Sequence, residues 1–314
     1  MRRCLCCYKP LSKGETDYHP KCAQRFFQTS VTPTLPYTRT DVDKLAKVVV
    51  QSRTTVTGVQ EKLSLDIAHD TQGNAQRLTI VGVLGRFILK PQTSLFTALP
   101  EMEDLTMHLA EIAHISTVPH ALIRFNDGEL NYITRRVDRM SDGKKLAMED
   151  MCQLAERQTE QKYQGSYELV ASLITRYSSM PKLDLVNYWE QVLFSWVVGN
   201  ADMHLKNFSL ISERPGLYRL SPTYDQVSTA IVMPEDTEEL AMTVQGFKKK
   251  LMNFDFRYAM ESTGVEEKTA QRILSRFDRF KEEWFACIDS SFVTDEQKTM
   301  FKELITERLE RLKK

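Results

Sequence analysis

The feature that most restricts the fold of this chain is a change of hydrophobic period near residue 145. From 41 to 140 the apolar runs are short and of strand type, VTGVQEKLSLDI, RLTIVGV, RFILKP and LNYITRRV, and turn signals such as TQGN and FNDG separate them. After 145 the pattern lengthens to helical spacing in AMEDMCQLAERQT, YELVASLITRYS, LVNYWEQVLFSWVVG and most of 255–314. The expected class is α+β, with a small strand-rich lobe over 41–140 and a large helical lobe over 141–314. One helix interrupts the strands: PEMEDLTMHLAEIAHI at 100–115 opens on Pro100, carries acids in its first turn and spaces Leu105, Leu109 and Ile112 on one face. One hairpin interrupts the helices, at 208–225, turning around Arg214, Pro215 and Gly216.

At 314 residues the chain is long enough for two lobes. Its 42 basic and 42 acidic residues cancel, so nothing in the charge draws it to nucleic acid or to an anionic membrane. The longest apolar run, VLFSWVVG at 192–199, falls short of the roughly 18–20 residues a spanning helix needs, and MRRCLCCYKP lacks the apolar stretch of an export signal. A cytoplasmic location is expected.

Chemistry concentrates in GNADMHLKNFSL at 199–210, where Asp202 is followed five positions later by Asn207, the D-x-x-x-x-N spacing of a kinase catalytic loop. A carboxylate there orients an attacking hydroxyl and accepts its proton, and an amide oxygen ligates Mg²⁺ without adding charge. Asp225, across the hairpin, supplies the second acid of a magnesium site. Lys90, ending the strand GRFILKP, is the candidate to neutralise the ATP α- and β-phosphates, with Glu103, or else Glu101, to orient it. An acid and an amide at this spacing are common in solvated loops; the ordered set of strand lysine, helix glutamate, loop and second aspartate is what gives the pair its meaning.

With these residues in place, TVTGVQEKLSL, GRFILKP, ITRRVDR, AMEDMCQL, GNADMHLKNFSL and YDQVST resemble, over about 50–310, the HipA-like serine/threonine kinases of bacterial toxin–antitoxin systems. The resemblance implies a two-lobed protein-kinase-like fold, Asp202 as catalytic base, Asn207 and Asp225 as Mg²⁺ ligands and Lys90 as phosphate lysine. It also implies ATP contacts near Arg135, Arg136 and Val137, at His204 and Lys206, and at Tyr224.

The loop TTVTGVQEK at 54–62 stands where a kinase keeps its glycine-rich phosphate cover, with one glycine in place of three. Backbone N–H groups at Thr57, Gly58, Val59 and Gln60, with Lys62, would cradle phosphate there. In the resembling family this loop carries autophosphorylated hydroxyls that silence the enzyme; the hydroxyls available are Thr54, Thr55 and Thr57, of which Thr55 and Thr57 are the candidates, against the reading that they are plain strand threonines.

Residues 1–30 form a cysteine-rich module, followed by a linker over 31–40. Cys4 and Cys7 make a C-x-x-C, and His19 and Cys22 an H-x-x-C eleven residues on. Four such ligands in two close pairs suit a structural Zn²⁺, with unmetallated packing thiols as the alternative and Cys6 blurring the pattern. His108, His114 and His120 follow neither helical nor metal spacing and read as surface or loop residues; Cys152 and Cys287 read as packing thiols.

The resemblance implies a toxin kinase whose substrate is an aminoacyl-tRNA synthetase and whose partner is a helix-turn-helix antitoxin. Longer relatives have about a hundred more residues before the phosphate loop, so the short, three-component HipT-type toxin is the better likeness, with a separate small protein supplying the missing subdomain. Two other readings stand beside it: an aminoglycoside-type small-molecule kinase, and a catalytically silent kinase-like scaffold.

Overall fold

The computed structural model describes residues 2–29, 32–42, 44, 62–71, 75–81, 85–140 and 142–314. The phosphate-loop residues Thr54, Thr55, Thr57, Gly58, Val59 and Gln60 lie outside the described residues. The chain divides into two compact units: Met1–Asp104 with Val118–Gly143 and Ser290–Phe292, and Leu105–Thr117 with Lys144–Asp289 and Val293–Lys314.

The first unit is built on an antiparallel sheet of β1 (Leu63–His69), β2 (Ala75–Ile80), β3 (Phe87–Lys90), β4 (His120–Arg124) and β5 (Leu130–Arg135), in the order β2-β1-β3-β5-β4. In β1 burial alternates, with Leu63, Leu65 and Ile67 inside and Ser64 and Asp66 half-buried, the period a pleated strand imposes. Those side chains meet Leu78, Phe87, Leu89, Ile123 and Ile133 in one core. Phe26 and Phe27 from α1 (Pro20–Phe27) pack on Phe87 in that core, which Cys4 and Cys6 also enter. The stretch read as a linker contributes Leu35 to it as well.

β4 lacks the period-2 signature because His120, Ala121, Leu122 and Ile123 are all buried, so HALIR carries no polar face by which to read it as a strand. It is the edge of the sheet, and its exposed backbone is covered: Leu122 N–H donates to the Leu5 carbonyl at 2.9 Å, and the Tyr18 hydroxyl donates to the Leu122 carbonyl at 2.6 Å. His120 is therefore a buried strand residue, not a loop one; its Nδ1 lies 2.6 Å from Asp104 Oδ1, and Tyr8 donates to the other Asp104 oxygen at 2.7 Å. Only His114 of the three spaced histidines is exposed, whereas His108 is half-buried on α2 (Leu99–Ile112).

In the second unit, α3 (Met151–Leu154), α4 (Tyr167–Tyr177), α5 (Pro181–Val197), α6 (Thr229–Val232), α7 (Asn253–Ser262), α8 (Glu267–Ser275), α9 (Lys281–Ser290) and α10 (Asp295–Leu312) accompany an antiparallel sheet of β6 (Ala147–Asp150), β7 (Ser209–Arg214) and β8 (Leu217–Leu220). The hairpin β7–β8 turns through Pro215 and Gly216, the glycine at φ 80°. AMED, expected to open a long helix, instead pairs with β7 as β6, and only MCQL is helical. Pairing with β7 makes it a strand, and a capping box starts the helix after it, with Asp150 Oδ1 accepting from Gln153 N–H at 2.9 Å and Gln153 Oε1 accepting from Asp150 N–H at 3.0 Å.

α5 begins with Pro181 at its first position and is buried on every side over its last two turns, Gln191 to Val197, as the central helix of a core must be. Near its start, buried Asp184 takes hydrogen bonds from Ser178, Arg219 and Leu220 N–H, which fasten the helix to β8. Near its end, Phe194 meets Trp284, which stacks on Phe277. α5 thereby delivers the following segment, Gly199–Asn207, from a rigid base.

Candidate functional site

Two sets of side chains occupy the candidate positions, one in each unit. In the first, β3 ends on Lys90, whose Nζ lies 2.5 Å from Glu103 Oε1 on α2, both side chains almost entirely buried. Of the two glutamates considered, Glu103 is the one Lys90 meets. The ammonium also sits 5.4 Å from the centre of the Tyr132 ring on the neighbouring strand. A buried pair at this separation is rigid, because either charge alone would face a large desolvation cost. Glu101, two residues earlier, is pushed up to about 7 by burial.

Arg135 and Arg136 are engaged within the protein: Arg135 donates to the Phe26 carbonyl at 3.2 Å, and Arg136 forms a two-point pair with Asp138 at 3.0 and 2.9 Å. Val137, between them and Asp138, is half-buried. Lys62, just before β1, is exposed.

In the second unit the chain leaves α5 through Gly199, at φ 69°, where an added Cβ would come within 2.8 Å of Ala230 and 2.6 Å of Leu304. The loop after it is pinned throughout. Ala201 N–H donates to Thr229 Oγ1 at 2.8 Å, and Asp202 N–H to Asn200 Oδ1 at 3.1 Å. Asn207 Nδ2 donates to the Asp202 backbone carbonyl at 2.9 Å, closing the loop on itself. With Nδ2 so engaged, Oδ1 is the atom Asn207 could offer to a cation. The Asp202 side chain is 45% exposed.

Asp225 adopts φ 54°, a left-handed backbone that few non-glycine residues take but that aspartate takes more readily than most. Its neighbour Gln226 holds the segment. Fully buried, Gln226 accepts from Asn200 Nδ2 at 2.9 Å and from Ser195 Oγ at 3.2 Å, and donates to Thr223 Oγ1 at 2.9 Å. One amide thus ties the Asp202 loop to the Asp225 segment.

The remaining candidates belong to the same network. His204, buried, has its pKa lowered to about 4 by desolvation and is neutral at pH 7. Lys206 Nζ is held by Asp150 Oδ2 at 2.6 Å, and Tyr224 donates to the Lys206 carbonyl at 3.0 Å. Three participants escaped the sequence reading. Asn200 and Gln226 stand beside motif residues but carry no signal of their own, and Tyr163, which donates to Asp202 Oδ1 at 2.6 Å, is remote in sequence. Hard oxygen donors at Asn207 and Asp225 suit magnesium, and the buried Lys90–Glu103 pair suits the charge of a nucleotide triphosphate.

At the amino terminus, the donor atoms of Cys4, Cys7, His19 and Cys22 all lie within 4.8 Å of one another. Cys6 is not among them; burial pushes its thiol up to about 12. Cys152 is buried against the Gln158 carbonyl, as a packing thiol would be. No helix among the described residues is long and apolar enough to cross a membrane.

Comparison with known proteins points one way. The family model of the HipA-like C-terminal domain matches residues 54–284. Among curated relatives, "Putative kinase Y4mE" of Sinorhizobium fredii is 28% identical over 61% of this chain and 46% of its own length. A "Putative kinase" of Haemophilus influenzae is 25% identical over 73% of this chain and 69% of its own. "Putative kinase Y4dM" of Sinorhizobium fredii is 27% identical over 72% and 58%. Among solved structures, HipA of Shewanella oneidensis MR-1, in its complex with HipB and operator DNA, has a TM-score of 0.67 at 21% identity, over 85% of this chain and 70% of that one. The proinflammatory kinase CtkA of Helicobacter pylori has 0.54 at 13%, over 80% and 94%. The fold is thus the kinase-like fold of HipA and CtkA, and, with the family model spanning most of its length, the chain belongs to the HipA-like C-terminal domain family.

Proposed function

We propose that this chain is a Mg-ATP-dependent serine/threonine protein kinase acting as the toxin of a toxin–antitoxin system. The observation that carries the reading is the Asp202–Asn207 loop, in which the amide closes the loop and leaves the Asp202 carboxylate exposed. In this reading Asp202 orients the acceptor hydroxyl and takes its proton, while Lys90, held by Glu103, faces the nucleotide phosphates. Asn207 Oδ1 and the Asp225 carboxylate hold Mg²⁺, which when bound offsets the negative charge on the phosphoryl oxygens. His204 is neutral and adds no positive charge that would compete with the metal. The backbone near Arg135, Arg136 and Val137 would meet the adenine, His204, Lys206 and Tyr224 would add further contacts to ATP, and Thr57, Gly58, Val59, Gln60 and Lys62 would cover its phosphates.

The likeness to a HipA that forms a complex with HipB and operator DNA supports a helix-turn-helix antitoxin as partner. An aminoacyl-tRNA synthetase is the proposed substrate, and Thr55 or Thr57 the proposed site of autophosphorylation. The test is labelled ATP with Mg²⁺, offered to the chain alone, in cell extract and with aminoglycosides, beside Asp202→Ala. Protein labelling that disappears in the variant, and from a Thr55→Ala/Thr57→Ala chain incubated alone, is the expected result. Labelled aminoglycoside, or no transfer under any condition, would overturn it.

A further inference from the structure

The four donors at the amino terminus form a site independent of the kinase reading. Tetrahedral zinc with bond lengths of about 2.3 Å to sulfur and about 2.0–2.1 Å to nitrogen sets its ligands about 3.5–3.8 Å apart. His19 Nδ1 lies 3.4 Å from Cys7 Sγ and 3.9 Å from Cys22 Sγ, and Cys4 completes a set in which every separation is within 4.8 Å. The other face of the imidazole fixes which nitrogen is offered. Nε2 lies 3.1 Å from the Pro10 carbonyl, which can only accept, so Nε2 carries the proton and Nδ1 turns its lone pair to the sulfurs. Metal-bound histidines are oriented by this kind of contact.

The backbone is shaped for the same end. Tyr8, directly after Cys7, is held at φ 59°, and its N–H closes a turn onto the Cys4 carbonyl at 3.0 Å, bringing the two cysteines of the C-x-x-C to one side. A bulky residue rarely adopts this conformation unaided.

We propose that Cys4, Cys7, Cys22 and His19 Nδ1 bind one zinc ion in a closed Cys₃His site that clasps the amino-terminal segment to the edge of the β-sheet. On binding, Zn²⁺ displaces one proton from each of the three thiols and accepts the neutral imidazole, with no change of oxidation state. Four protein ligands leave no open position, so the site is structural rather than catalytic. What it clasps is specific. Leu5, between the first two ligands' positions, pairs with Leu122 on β4, Tyr18 pairs with the same residue, and Tyr8 reaches Asp104, the neighbour of Glu103.

The test is metal analysis of the full chain purified without chelator. About one zinc per chain is expected, retained in Cys6→Ala and lost in Cys22→Ser. Because Cys22→Ser could fail to fold, cobalt substitution of the unaltered chain decides independently: intense tetrahedral visible bands with thiolate-to-cobalt charge transfer are expected. Removing the metal is expected to lower the thermal midpoint by several degrees. Less than about half an equivalent of zinc after reconstitution, a stoichiometric metal other than zinc, cobalt bands without thiolate ligation, or an unchanged midpoint on metal removal would each overturn the proposal. Every readout is independent of phosphoryl transfer, so failure of the kinase reading leaves it standing.

Discussion

The two sets of candidate residues are held in opposite ways. Lys90 and Glu103 hold each other, as a buried pair with almost no exposure. The segments of Asp202 and Asp225 are held through the bystanders Asn200, Gln226 and Thr229, and Asn207 bonds the Asp202 backbone carbonyl, so that the Asp202 side chain, met by the Tyr163 hydroxyl, stays 45% exposed. A mutual pair combines positioning with stability, and neither partner can be altered alone. A bystander network separates the two, so that the reactive group can be changed while the loop stands.

The sharpest way to break this contrast is Glu103→Leu. It leaves the Lys90 ammonium buried without its carboxylate and is expected to reduce unfolding free energy by about 3–5 kcal/mol, measured by denaturant titration, with Lys90→Met/Glu103→Leu recovering much of the loss. Recovery that fails to appear would mean the pair is not the mutual device described. Gln226→Ala, in the bystander network, removes three buried hydrogen bonds and is expected to cost about 2–3 kcal/mol while lowering phosphoryl transfer.

The regions should also titrate with opposite sign. Glu101, raised to about 7 by burial, keeps its proton in the folded state while the unfolded chain releases it above about 4.5, so its contribution is lost as pH rises through 4.5 to 7. His204, lowered to about 4, stays neutral while the unfolded chain protonates near 6.5, so stability is lost as pH falls from 6.5 to 4. Glu101→Gln should therefore raise the unfolding free energy at pH 8 and His204→Gln at pH 5, each by up to about 1.4 kcal/mol per pH unit of the window, read by denaturant titration at the two pH values. The smallest effect is expected from Tyr163→Phe. Its hydroxyl occupies Asp202 Oδ1, the atom an acceptor hydroxyl needs, so its removal should raise the transfer rate by about 2–5-fold with stability nearly unchanged.

What could be read from the sequence was local. The Asp202–Asn207 spacing, the lysine ending an apolar strand and the two cysteine pairs are short-range patterns, and side chains at those spacings do come together. What could not be read was set by tertiary context. β4 gave no alternation because both its faces are covered, and AMED became a strand because β7 offered it a partner and Asp150 capped what followed. Gln226 and Tyr163 are ordinary residues in sequence; only their hydrogen bonds across the fold give them a place in the site. The candidate catalytic residues could be picked out because chemistry restricts their types, and their supports could not because many residues can supply a hydrogen bond.

The central claim, that Asp202 serves chemistry rather than structure, is tested most directly by single-turnover phosphate transfer in Asp202→Asn. Because the side chain is half-exposed and the loop is closed through its backbone carbonyl, the rate is expected to fall by about 10²–10⁴-fold with Mg-ATP affinity and thermal midpoint unchanged. A rate close to that of the unaltered chain, or a loss that tracks unfolding, would contradict it.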